Sequence, residues 1–164
     1  MKEQSPENTS ATNLLVDEII ELRLVRVLGC KEIALRSPEA QFLSRSPEHR
    51  FAIHRRSDGL RVGRIHLRVT NDEDIVGAVG HVGYEVDDLH RRNGYAVRAI
   101  KLIIDLAHQY KVVPLWVLIE PENIASRKAA ERAGFQLVDV ISTQPKAAFL
   151  GIGPQVCRYV IEQP

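Results

Sequence analysis

Gly83-Tyr84-Glu85-Val86-Asp87-Asp88-Leu89-His90-Arg91-Arg92-Asn93-Gly94-Tyr95-Ala96 marks the point where the chain changes its period. On its N-terminal side, apolar residues recur in short alternating runs bounded by turn residues, the pattern of strands. On its C-terminal side, Tyr95–Tyr110 repeats with the period of a helix. Arg98, Lys101, Asp105 and His108 share one face there, and Ala96, Ile100, Ile103 and Ala107 another.

Upstream, Glu21–Val27 reads as the first strand, preceded by an apolar segment from Leu14. Ser37-Pro38-Glu39 has the composition of a helix start: Ser as N-cap, Pro at the first position, an acid in the first turn. A short helix is expected from there to about Ser44. Arg50–Arg56 and Leu60–Thr70 are expected strands joined through Ser57-Asp58-Gly59, whose Asp-Gly dipeptide favours a tight hairpin. After an acidic turn at Asn71–Asp74, Ile75–Val86 reads as one further strand, thinned by Gly77, Gly80 and Gly83.

Downstream, the unbroken apolar run Leu115–Ile119 follows Pro114 and reads as a strand covered on both faces. Ile124–Ala133 is a second helix, with Asn123 as N-cap and Gly134 as its stop. Phe135–Ile141 and Val156–Ile161 close the chain as strands. A β-meander followed by strand–helix–strand–helix–strand predicts a mixed α/β (α+β) domain, with a right-handed crossover and a parallel pair. In such sheets ligands bind beyond the carboxyl ends of the strands, which places the loops Val86–Tyr95 and Glu120–Ser126 in question.

Composition bounds the function. The chain has 164 residues, 45% hydrophobic and 26% charged, which suits one domain with its own core. Residues 1–12 are polar, with neither a basic start nor an apolar stretch, and read as a disordered lead-in to a single domain at 13–164. Lys and Arg number 22 against 21 Asp and Glu. That balance argues against bulk binding to nucleic acid or an anionic membrane. No apolar run approaches the roughly 20 residues of a membrane span, and a cytoplasmic location is expected. Cys30 and Cys157 stand far apart without Cys/His clusters, so no metal is expected and both thiols are read as free.

Arg91-Arg92-Asn93-Gly94-Tyr95-Ala96 lies between a strand end and a helix start. Gly94 can adopt positive φ and lets a ligand approach the backbone. First-turn amides lack helical partners and sit at the positive end of the helix dipole, so they suit an anion. Arg91 and Arg92 add charged donors, and the small Ala96 keeps the first turn clear. Together these residues describe a pyrophosphate cradle. Other phosphate signatures are missing: no G-x-x-x-x-G-K-[ST] occurs, and Gly77, Gly80 and Gly83 are spaced by threes. No G-x-S-x-G serine elbow is present either.

Three further segments join the loop: Gly83-Tyr84-Glu85-Val86 before it, then Pro121-Glu122-Asn123-Ile124-Ala125-Ser126, and Glu131-Arg132-Ala133-Gly134-Phe135. In that order the sequence resembles the GNAT superfamily of acyl-CoA N-acyltransferases, whose phosphate motif [Q/R]-x-x-G-x-[G/A] is matched by Arg91, Gly94 and Ala96. Gly-Tyr-Ala after the arginines, P-x-N-x-x-S and E-[KR]-x-G-F are most similar to the RimJ/RimL-like branch, which acetylates N-terminal alanines of ribosomal proteins.

The resemblance implies a mostly antiparallel sheet with a splayed parallel pair and flanking helices, and acetyl-CoA as co-substrate. The pantetheine is then expected along the strand ending at Val86. Asn123 is expected to hold the cofactor arm, and Ser126 to lie near the thioester sulfur as the acid. Two positions depart from other branches. Ala130 stands where many members carry a tyrosine acid, and Gly80 lies near where some carry a glutamate base.

Acetyl transfer needs a neutral amine. A lysine amine near pKa ~10.4 needs a strong base, whereas an α-amino group near ~7.7–8.0 is already partly neutral at pH 7. A chain with no evident base therefore suits a low-pKa primary amine, on a protein N-terminus or a small molecule. His81, Glu85 and Glu120 are the base candidates. Backbone amides near Val86 are the candidates for polarising the thioester carbonyl. The alternatives are an antibiotic or polyamine acetyltransferase and a non-catalytic acyl-CoA sensor, with an acidic acceptor pocket as the mark of a polyamine enzyme. The acceptor is expected between Leu28–Arg50 and the Thr143–Gln155 loop, and a homodimer is left open.

Overall fold

The computed structural model describes residues 15–28 and 41–162. The expected helix start at Ser37 and the thiol of Cys30 lie outside the described residues.

Four strands form one antiparallel sheet in sequence order: β1 (Ile20–Leu28), β2 (Glu48–Arg55), β3 (Arg61–Arg68) and β4 (Val82–Val86). The β2–β3 hairpin closes as its Asp-Gly dipeptide predicts. Gly59 takes φ 69°, and Asp58 Oδ1 accepts from the Leu60 amide at 3.1 Å and from Arg55 Nε at 3.0 Å. A second antiparallel sheet has the order β5 (Leu115–Ile119), β7 (Gln155–Ile161), β6 (Gln136–Ser142).

One expected strand is half helix. Ile75–Val86 divides into helix α1 (Glu73–Val79) and strand β4. Asp72 Oδ1 caps α1 by accepting from the Asp74 and Ile75 amides, and Glu73 and Asp74 favour the positive helix end. Ile75 and Ala78, three apart, bury one face, and Gly80 stops the helix at φ 66°. The acidic "turn" was therefore a helix N-terminus. A smaller apolar cluster of Leu28, Leu43 and Ile75 lies there, beside the 3₁₀ turn Gln41–Arg45.

Helix α2 (Tyr95–Gln109) lays Ala99, Ile100, Ile103, Leu106 and Ala107 on the main core, with Phe51, Ile53, Ile65 and Leu67 of the sheet. Helix α3 (Ile124–Ala133) adds Ala129, Ala130 and Ala133. The short α4 (Pro145–Ala148) interrupts the segment before β7.

The two crossovers do not give ladder-bonded parallel neighbours. β7 inserts between β5 and β6. β4 and β5 are joined beside their starts: the His81 amide donates to Trp116 O at 2.8 Å, and the Trp116 amide donates to His81 Nδ1 at 2.9 Å. From that clasp both strands run the same way and splay apart. The domain is a mixed, mostly antiparallel α/β fold opened at a parallel pair.

Candidate active site

The splay creates a cleft of about 300 Å³, lined among others by Val82, Tyr84, Leu118, Glu120, Asn123 and Ser126. The Arg68 amide donates to His81 O and the Asp87 amide to Val62 O, both on the β3 side. Strand alternation then turns the backbone groups of Val82, Tyr84 and Val86 towards the cleft. Among the described residues, no strand pairs with them there. Val86 thus turns its amide to the cleft side at the end of β4.

The loop after β4 leads into the first turn of α2. Gly94 caps α2 at φ 76°, ψ 3°, and a Cβ built on it meets nothing within 4 Å. The Arg98 amide donates to Gly94 O at 3.2 Å, which leaves the amides of Tyr95, Ala96 and Val97 without helical partners. This open, positively polarised turn fits a pyrophosphate. Asn93 braces the loop, donating from Nδ2 to His90 O and Arg91 O at 3.0 Å each. Arg91 pairs with Asp88 at 2.7 Å and donates through Nε to Val86 O at 3.2 Å, so it ties loop to strand end. Arg92 takes φ 64° within the same exposed loop. Tyr95 is buried beside Arg55, so only its backbone faces the cradle.

Asn123 and Ser126 divide their labour clearly. Asn123 Oδ1 accepts from the Ser126 amide at 3.1 Å and is the helix cap. Ser126 Oγ instead donates to the Tyr84 hydroxyl at 2.8 Å, and that hydroxyl donates to Ser126 O at 2.9 Å. Burial is the main cause that pushes the Tyr84 phenol up to about 12, so it stays protonated. Sequence reasoning passed over Tyr84. The signal was strand alternation, since Val82, Tyr84 and Val86 must share a face.

The base candidates separate. His81 is buried, with Nε2 on Thr70 O at 3.0 Å and Nδ1 accepting from Trp116, and burial first of all lowers its pKa to about 4. Both ring nitrogens are occupied, so its geometry is that of a strand clasp. Glu85 is exposed and paired with Arg64 at 2.5 Å. Glu120 lines the cleft, but its Oε1 accepts from the Gly153 amide at 2.8 Å and holds the β6–β7 connection. At Gly80 a side chain would be strained, since φ is 66° and a Cβ would crowd Trp116 O at 3.1 Å. Ala130 is buried in the core. Cys157 is a buried free thiol. No described helix is long and apolar enough to cross a membrane.

Comparisons with known proteins agree with this geometry. Residues 30–136, more than half of the chain, match the acetyltransferase (GNAT) domain family. A probable N-acetyltransferase of Bacillus subtilis (strain 168), YjcK, is 30% identical over 96 residues, 57% of this chain. That match spans 51% of the relative, about half its length. Among solved structures, a putative ribosomal-protein-serine acetyltransferase from Vibrio cholerae aligns at TM-score 0.61 and 17% identity, covering 91% of this chain and 97% of its own. AAC(6')-Ib, solved with ribostamycin and coenzyme A, aligns at TM-score 0.59 and 12% identity, covering 89% and 94%. At such identities the structural likeness is one of fold. With the family match, the splayed strands and the open first turn of α2 taken together, the chain belongs to the GNAT acetyltransferase family.

Proposed function

We propose that the chain transfers the acetyl group of acetyl-CoA directly to a primary amine, with both substrates bound at once. The observation that carries this reading is the continuity of one path. The open first turn of α2 leads past the Val86 amide and along the backbone edge of β4 that no strand pairs with among the described residues, to the Tyr84–Ser126 pair. In this reading the amides of Tyr95, Ala96 and Val97, with Arg91 and Arg92, bind the pyrophosphate. Asn93 and Gly94 shape the loop, and Asn123 fixes the start of α3 beside the pantetheine arm.

Acetyl-CoA supplies the activated thioester. The Val86 amide donates to its carbonyl oxygen as charge gathers there. Ser126 Oγ, released from Tyr84, donates to the departing sulfur. The amine must arrive neutral, because His81 has no nitrogen to spare while Glu85 and Glu120 are held by Arg64 and Gly153. An amine of low pKa, such as an α-amino group, is therefore the fitting acceptor. CoA release from acetyl-CoA, followed over a panel of N-terminal peptides, small amines and aminoglycosides, tests the reading. Turnover with at least one amine supports it, and CoA binding without turnover across the panel would favour an acyl-CoA sensor.

A further inference from the structure

The face of β2–β4 turned away from α2 carries a second hollow, of about 440 Å³. Strand register sets its floor: Arg50, His66 and Gly83 form one cross-strand row, and Ala52, Arg64 and Glu85 the next. Gly83 and Tyr84 line both this hollow and the cleft between β4 and β5, so the two spaces adjoin across β4. Gly83 is what brings them together. A Cβ there would stand 2.7 Å from His66 Nε2, so the imidazole packs directly against bare backbone at the border.

The charges of the floor are uneven. Buried Glu48 is shared by Arg50 at 2.6 Å and Arg68 at 3.0 Å, and Glu85 is taken by Arg64. Each carboxylate is thus matched by at least one guanidinium, and a guanidinium fork has more N–H donors than these pairs use. A polycation needs several uncommitted carboxylates, and this floor has none. His66 adds no positive charge, because burial and then Arg68 hold its pKa at about 3, and its enclosed Nε2 has no hydrogen-bond partner. The border beside Gly83 therefore tolerates an amine, while the wall at Arg50 and Arg64 attracts an anion.

We propose that this hollow is the acceptor site and that it selects a primary amine carrying a carboxylate or phosphate group. The anion sits on Arg50 and Arg64, and the amine lies over Gly83 at the mouth of the cleft. The inference rests on the acetyl-transfer reading. In that step the amine nitrogen forms a bond to the thioester carbonyl carbon and the carbon–sulfur bond breaks. The electron pair leaves with sulfur, which takes a proton to become the CoA thiol. The amine gives its surplus proton to water, leaving an N-acetylated product that keeps its anionic group.

The test uses ¹⁵N-labelled protein saturated with CoA, binding of which is measured first by calorimetry. Matched low-pKa probes are titrated in: glycylglycine against glycylglycinamide, O-phosphoserinamide against serinamide, and spermidine as the polycation. The carboxylate and phosphate pairs distinguish the two anions. In at least one pair the anionic member should bind about tenfold or more tightly than its neutral partner and shift the Gly83 and His66 amides. Arg64→Gln should remove most of that preference and Arg64→Lys should keep part of it. Arg64 is mostly exposed, so its loss leaves the fold intact, whereas Arg50→Gln also strips a partner from buried Glu48 and serves as the second variant. Equal binding of neutral probes or spermidine, absence of binding by both anionic probes, or an unchanged preference in Arg64→Gln overturns the inference. If CoA itself fails to bind, the acetyl-transfer reading falls and carries this one with it.

Discussion

Ser126 and Tyr84 hold each other through two hydrogen bonds: Ser126 Oγ donates to the Tyr84 hydroxyl at 2.8 Å, and that hydroxyl returns a bond to Ser126 O at 2.9 Å. The contact ties the middle of β4 to the start of α3 across the mouth of the cleft. Because Asn123 caps the helix, the Ser126 hydroxyl is not needed for that task.

Ser126→Ala should therefore lower turnover by roughly 10²-fold at saturating acetyl-CoA, with little change in acetyl-CoA affinity. Tyr84→Phe should lose turnover as well, because Ser126 then lacks the partner that positions it. The double variant should be little worse than the poorer single one, as for residues that act as a unit. Full turnover in folded Ser126→Ala would leave Ser126 a structural residue.

Asn123→Ala is the matched control. It removes the oxygen that accepts from the Ser126 amide, and should cost about 0.5–2 kcal/mol in urea unfolding. A stability loss in Asn123→Ala that Ser126→Ala does not share would separate the cap from the chemistry.

How much of this was legible beforehand depended on how local the signal was. Asn123 and Gly134 bracket α3 as the sequence predicts, because N-cap and C-cap chemistry are decided within a few residues. Asp58-Gly59 likewise declared its hairpin. Asn71–Asp74 was misread for the opposite reason: an acidic cluster serves a turn or a helix start equally, and only burial of Ile75 and Ala78 decides. Gly80 and Gly83 looked like defects in a strand, yet one stops α1 and the other receives the His66 ring. Tyr84 and His81 gained their meanings from partners as far as 42 and 35 residues away. Sequence patterns do not encode such pairings.

The loop glycine gives a sharper test of the cradle. Gly94→Val forces a branched side chain into φ 76°, whereas Gly94→Asn puts there a residue that tolerates this conformation. A side chain at this position points into open space, so both variants should fold. CoA affinity should fall by about tenfold or more in Gly94→Val and by less in Gly94→Asn. Unchanged CoA affinity in folded Gly94→Val would remove this loop from the binding site.

His81 predicts a pH dependence of stability. Its pKa falls from 6.5 in the unfolded chain to about 4 in the fold, chiefly through burial, so the unfolded state binds the proton more readily. The stabilising contribution is complete above about pH 6.5 and is lost as pH falls towards 4, amounting to about 3 kcal/mol. Urea unfolding at pH 7 and pH 5 should show about 2 kcal/mol of this loss in the natural chain and a smaller one in His81→Gln. Equal losses in the two proteins would contradict the clasp.

Calorimetric titration of the full chain with CoA tests the central claim most directly. The account predicts one CoA per chain, with a rise in melting temperature that NAD and ATP match only weakly. Absence of heat and of any thermal shift at millimolar CoA would contradict it, for the open first turn of α2 and the splayed β4–β5 cleft would then have no ligand in common.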